Sequence, residues 1–139
     1  MAKLPQVAAI HDLSGFGRCS LNIALPVLSA MGVRCCPVPT AILSNHTEFS
    51  VGYFFHDLTA ILDDYLAYWQ KLNLQFNAIY SGFLGSEQQI EFVLKFANTF
   101  SSTLIVDPVM GDLGQIYTTF GPDFCNKMRK LIAQADIIT

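Results

Sequence analysis

Short apolar, β-rich runs alternate with longer stretches of helical period along almost the whole chain, and this alternation restricts the fold more than any other feature. Val7-Ala8-Ala9-Ile10 reads as a first strand. Ser20 then caps a helix running toward Gly32, with Pro26 inside it to remove one backbone hydrogen bond and kink it. Val33 to Thr40 is a second extended stretch, whose Pro37 and Pro39 point to an irregular or edge strand. Leu58, Ile61, Leu62, Tyr65, Leu66 and Trp69 recur at the spacing of one helix face, with Asp57 as its cap. Ala78-Ile79-Tyr80 is a strand ending at Ser81-Gly82, and Ser86 with Gln89 forms a capping box before the helical face Ile90, Val93, Leu94 and Ala97. Thr103-Leu104-Ile105-Val106 is a strand, Phe124, Met128, Leu131, Ile132 and Ala135 make a fourth helical face, and Ile137-Ile138 begins another strand. Strand and helix in this order predict an α/β protein with a mainly parallel sheet, because a parallel strand returns only through a crossover.

Composition agrees with a sheet buried on both faces. Of 139 residues, 52% are apolar and 14% charged, which excludes disorder. The net charge of -3 is spread without a basic stripe, so nucleic acid is not an expected partner. No run approaches the roughly 18 to 20 apolar residues that span a membrane. Met1-Ala2-Lys3-Leu4-Pro5 lacks the apolar core of a signal peptide, and Cys19, Cys35, Cys36 and Cys125 lack zinc spacing. The expectation is a cytoplasmic protein with no membrane partner and with buried, reduced thiols. The apolar pair before Thr139 is expected to be a short terminal strand, or else the sequence is the front part of a longer protein.

In open α/β sheets ligands bind beyond the carboxyl ends of the strands. Four segments with unusual polar or glycine content fall there: His11 to Arg18, Ser44 to Thr47, Ser81 to Gly85, and Asp107 to Asp112. Gly15-Phe16-Gly17-Arg18-Cys19-Ser20 is part of a dinucleotide fingerprint, but the acidic residue such a site needs at the end of the second strand is absent between Cys35 and Ser44. No P-loop motif occurs. Asp107 and Asp112 are either the ends of an Asp-Pro turn or two oxygen ligands for a hard cation. His46, between Asn45 and Thr47, is either structural or a ligand contact, whereas His11 and His56 lack polar company and read as structural.

Together these segments resemble the pyridoxal kinase branch of the ribokinase superfamily. Ser44-Asn45-His46-Thr47 resembles its S-N-H-T, Ser81-Gly82-Phe83-Leu84-Gly85 its S/T-G-Y segment, and Asp107-Pro108-Val109-Met110-Gly111-Asp112 its D-P-V-[LM]-G-D. Ala135-Asp136-Ile137-Ile138-Thr139 resembles the A-D-I-I-T that leads into P-N-x-x-E in that family. Four matches in the same order make the signal specific. The first segment departs from it: Asp12-Leu13-Ser14-Gly15-Phe16-Gly17 is closer to the D-x-S-G-G-A-G of the related hydroxymethylpyrimidine kinases.

The resemblance implies a three-layer αβα, ribokinase-like fold, with residues 1–139 as the N-terminal part of one kinase domain. It implies transfer of the ATP γ-phosphoryl group to the hydroxymethyl of pyridoxal, pyridoxine or pyridoxamine. A pyrimidine alcohol, or B6 binding without chemistry, is the alternative. Asp12, Ser14, Asn45, His46, Thr47 and Phe83 would contact the substrate, with Phe83 lacking the hydroxyl of the usual Tyr. Asp107, Asp112 and Tyr117 would face the nucleotide, and Asp107, Asp112 and Thr139 would hold Mg²⁺ and a monovalent cation. The family's base, an Asp in a G-[ST/A]-G-D motif, has no counterpart in these residues, so the segment alone is expected to be inactive. A homodimer is the expected assembly.

Overall fold

Eleven residues, Gln6–Phe16, form β1, a strand more than twice the length that its apolar run announces. A computed structural model describes residues 4–47, 49–112, 114–117, 120–121 and 123–139. The chain continues through α1 (Leu21–Ala30), β2 (Arg34–Asn45), β3 (Phe55–Asp57), α2 (Thr59–Lys71), β4 (Ala78–Ser81) and α3 (Glu87–Phe100). It ends with β5 (Thr103–Val106), the short strands β6 (Gly111–Asp112) and β7 (Gln115–Ile116), α4 (Phe124–Ile132) and β8 (Ile137–Ile138).

Six strands form one sheet in the order β3-β2-β1-β4-β5-β8, parallel except for β3. The α/β class with a mainly parallel sheet and flanking helices is therefore observed. The order reverses between β1 and β4, where chain connections leave on opposite sides and open a crevice at the carboxyl edge. A second sheet is the β6–β7 hairpin, in the stretch expected to be a loop.

The core lies between one sheet face and three helices. Ala8, Ile10, Val38, Ile79, Leu104 and Val106 meet Leu62 and Leu66 of α2, Ile90, Val93 and Phe96 of α3, and Phe124, Met128 and Leu131 of α4. Each strand contributes alternate residues to this layer, as a two-residue period requires. The helix α1 packs on β1 and β2, and its buried Leu21 and Ala24 lie outside that cluster. Beyond its reach, Ala78 and Tyr80 of β4 and Ile105 of β5 are only half-buried, while Ile79, Ser81, Leu104 and Val106 are buried.

Several expectations need correction. His11 to Phe16 is strand, not loop, because β1 stays paired with β2 as far as Phe16 opposite Asn45. An irregularity between His11 and Leu13 absorbs one extra residue of β2. β2 is not the sheet edge, but β3 covers it only at Ala41 to Leu43, so Pro37 and Pro39 lie where β1 is the only neighbouring strand in this sheet. Ser20 precedes α1 without a side-chain capping bond. Asp57 caps α2 from one residue further out, its Oδ1 accepting from the Thr59 amide at 2.6 Å. Ile61 is 48% exposed although it shares the spacing of the buried face. The four thiols are free but half-buried rather than buried, and burial pushes those of Cys35 and Cys36 up. Among the described residues no helix is long and apolar enough to cross a membrane.

Candidate functional site

A cleft of about 520 Å³ opens at the carboxyl edge of the sheet and is lined by residues from five separate segments. Asp12 and Ser14 come from the polar half of β1, and Cys19 and Ser20 from the turn into α1. Leu43 is on β2, followed by His46 and Thr47, with Tyr53 and Phe55 on the return to β3. Phe83 follows β4, and Asp107, Val109, Asp112 and Tyr117 follow β5.

Of the residues singled out in the sequence, Asp12, Ser14, His46, Thr47, Phe83, Asp107, Asp112 and Tyr117 thus share one cleft. Asn45 and Thr139 are not among its lining residues. The Asn45 side chain ties down its own loop, donating from Nδ2 to the carbonyls of His46 at 3.0 Å and Gly52 at 3.1 Å while Oδ1 accepts from Ser44 Oγ at 2.6 Å. Thr139 follows β8, with its amide donated to the Val106 carbonyl at 3.1 Å. Tyr53 and Phe55, absent from the sequence reading, add two rings to the wall. Their signal was present as the aromatic run Tyr53-Phe54-Phe55, but nothing in one dimension says that it folds back as an antiparallel strand.

The polar groups are held in place locally. Asp12 is 4% exposed, and its Oδ2 accepts from Ser14 Oγ at 3.1 Å. The Ser14 carbonyl in turn accepts from Asn22 Nδ2 of α1. The backbone of His46 is pinned to β1 by its amide donating to the Phe16 carbonyl at 3.0 Å. Burial holds the Asp107 carboxyl above the usual carboxylate range. Burial also raises the Tyr80 hydroxyl, and the negative Asp107 nearby raises it further. Phe83 lies 6.3 Å, ring to ring, from Tyr117 in an edge-on arrangement.

The lining contains three carboxylates and neither Lys nor Arg. A polyphosphate placed here meets repulsion unless a cation accompanies it. No group of three or more His, Cys, Asp or Glu poised to hold a metal by themselves exists among the described residues. Two carboxylates with solvent-accessible oxygens instead suit Mg²⁺, which keeps several waters and shares itself with substrate phosphates. The donor set of Asp107 and Asp112 therefore fits that ion chemically.

No established family profile matches the chain. It is 30% identical over 121 residues to pyridoxal kinase PdxY of Pseudomonas syringae pv. syringae, an alignment that takes in 80% of this chain and 41% of that protein. Its fold matches a putative phosphomethylpyrimidine kinase of Bacteroides thetaiotaomicron with a TM-score of 0.93 and 48% identity, over 99% of this chain and 48% of that one. That bacterial protein has also been crystallised with pyridoxal. Pyridoxal kinase of Lactobacillus plantarum matches with a TM-score of 0.89 and 37% identity, over 98% of this chain and 49% of the other. The chain thus spans about half the length of these relatives. In sequence and in fold, it is similar over that half to pyridoxal kinases and to a putative phosphomethylpyrimidine kinase.

Proposed function

We propose that this chain is the N-terminal part of a kinase that transfers the γ-phosphoryl group of ATP to the hydroxymethyl of a B6 vitamer. The observation that carries the reading is the composition of the cleft: aromatic rings for a heteroaromatic plane beside carboxylates that call for a cation. Phe55, Phe83 and Tyr53 offer faces and edges on which a pyridine ring stacks. Asp12, whose carboxylate is already steadied by Ser14, accepts a hydrogen bond from a ring substituent, and His46 and Thr47 supply further polar contacts. These contacts fix the ring so that its hydroxymethyl approaches in line, which is where most of the rate of such transfers originates.

Asp107 and Asp112 would hold Mg²⁺ and its waters, and the ion, when bound, neutralises charge developing on the phosphates. Burial lifts the Asp107 carboxyl, and a cation bound beside it would favour its ionised form, so ionisation and cation binding would reinforce each other. The general base lies outside these residues in this reading. A hydroxymethylpyrimidine substrate is the second reading, favoured by the 48% identity to the putative phosphomethylpyrimidine kinase and by Asp12-Leu13-Ser14-Gly15.

Titration of the chain with pyridoxal and with hydroxymethylpyrimidine, followed by ring absorbance, tests this. Saturable binding with pyridoxal preferred supports the first reading, and the reverse preference supports the second. Failure of both heterocycles to bind overturns both.

A further inference from the structure

We propose that Gln89, which does not line the cleft, is the positioning residue for its aromatic wall. This rests on the cleft being a heteroaromatic substrate pocket. Gln89 is 0% exposed, in the first turn of α3, where a capping box would turn its side chain back toward Ser86. Only half of that box forms: Ser86 Oγ accepts from the Gln89 amide at 3.4 Å, and the Gln89 side chain goes elsewhere. Its Oε1 accepts from the Gly85 amide at 2.7 Å. Its Nε2 donates to the Thr40 carbonyl of β2 at 2.9 Å and to Thr59 Oγ1 of α2 at 2.9 Å, with Asp57 Oδ2 of β3 at 3.3 Å.

One amide thereby joins four segments, and two of them carry cleft rings. Phe55 is two residues before Asp57, and its ring lies over Gly85, where a Cβ would come within 3.3 Å of Phe55 Cζ. Phe83 is two residues before Gly85, and its carbonyl accepts from Thr40 Oγ1 at 3.2 Å. Gln89 thus grips Gly85, against which Phe55 rests, and Thr40, to which Phe83 is tied. No other uncharged side chain of this length both accepts and donates at that depth. An apolar replacement strands the Gly85 amide and leaves the Thr59 hydroxyl with Ser86 Oγ alone, at 3.2 Å, and a carboxylate confronts Asp57 and the Thr40 carbonyl.

The test uses Gln89→Met, similar in length but without donor or strong acceptor, and Gln89→Glu, which keeps the acceptor alone. Amide hydrogen exchange is expected to speed up at least tenfold over residues 55–58 and 83–85 in Gln89→Met while residues 91–100 of α3 keep their protection. In Gln89→Glu the Gly85 amide stays protected and 55–58 does not, which decides the matter if the Met variant fails to fold. Pyridoxal affinity falls roughly tenfold in Gln89→Met. Combined with Phe55→Ala, the loss is smaller than the product of the two single losses, because both changes disturb the same placed ring. Losses that multiply in the double variant, unchanged affinity in Gln89→Met, or unchanged exchange overturn the proposal. If the unsubstituted chain has no affinity for pyridoxal, the substrate reading falls, and the exchange arms still decide whether Gln89 holds the wall.

Discussion

At the scale of single residues, His11 shows how a polar side chain that reads as structural can set the behaviour of the protein. Its ring packs edge-on against Tyr80, 4.4 Å between centroids, and its Nε2 has no partner among the described residues. Burial holds its pKa down at about 4, against 6.5 for an exposed imidazole, with a hydrogen bond to the Tyr80 backbone opposing that shift. Between those values the unfolded chain takes up a proton that the folded one refuses, so stability declines as pH falls from 6.5 toward 4. The loss is of order 3 kcal/mol and should appear in urea unfolding followed across pH, with His11→Gln flattening that limb. Gly82 answers to the same ring: a Cβ there would sit 2.1 Å from His11 Nδ1. Gly82→Ala is therefore expected to destabilise by about 2 kcal/mol or more in the same assay. In the cleft, His46→Ala should weaken vitamer binding about tenfold by calorimetry. In a complete kinase Asp112→Asn should lower turnover while leaving vitamer affinity near its original value, and equal turnover would remove Asp112 from the cation site.

At the scale of elements, α3 carries an aromatic cluster at its buried face. Phe96 meets Trp69, Phe76, Phe92 and Phe100 with ring centroids between 4.8 and 6.0 Å apart. Phe96→Ala is expected to cost about 4 kcal/mol, read from denaturant unfolding, because rigid rings on every side cannot collapse into the space left. Periodicity found this helix, since Ile90 and Val93 recur where its buried face requires them. The same signal misjudged Ile61, which shares the spacing of Leu62 and Leu66 but faces out. It also ended β1 at Ile10, because His11, Asp12 and Ser14 are polar at positions that the fold buries. Polar residues inside a strand look like a loop until the groups that satisfy them are known. Gln89 is the parallel case on α3: the capping-box pattern was legible, whereas the groups that accept from its Nε2 lie 30 to 49 residues away.

At the scale of the whole molecule, the chain spans about half the length of its relatives, and part of one sheet face is half-buried rather than covered. We expect this chain by itself to bind a vitamer but not to turn over ATP, measured by release of ADP in a coupled assay. Turnover by this chain would place the base among residues described here. The order of the parallel strands and the four helices was legible from the sequence because burial imposes a period on each, whereas the exposed β3, β6 and β7 carry none. Four of the five segments that build the cleft were legible too, since glycine and polar residues cluster where those parallel strands end. What only the tertiary structure decided is which of those side chains converge. It brought Asp12, His46, Phe83 and Asp112 into one cleft, left Asn45 and Thr139 outside its lining, and added Phe55 from a strand too short and exposed to show a pattern, with Tyr53 just before it. Convergence is a matter of strand order and register between segments far apart in the chain, and local sequence carries no record of either.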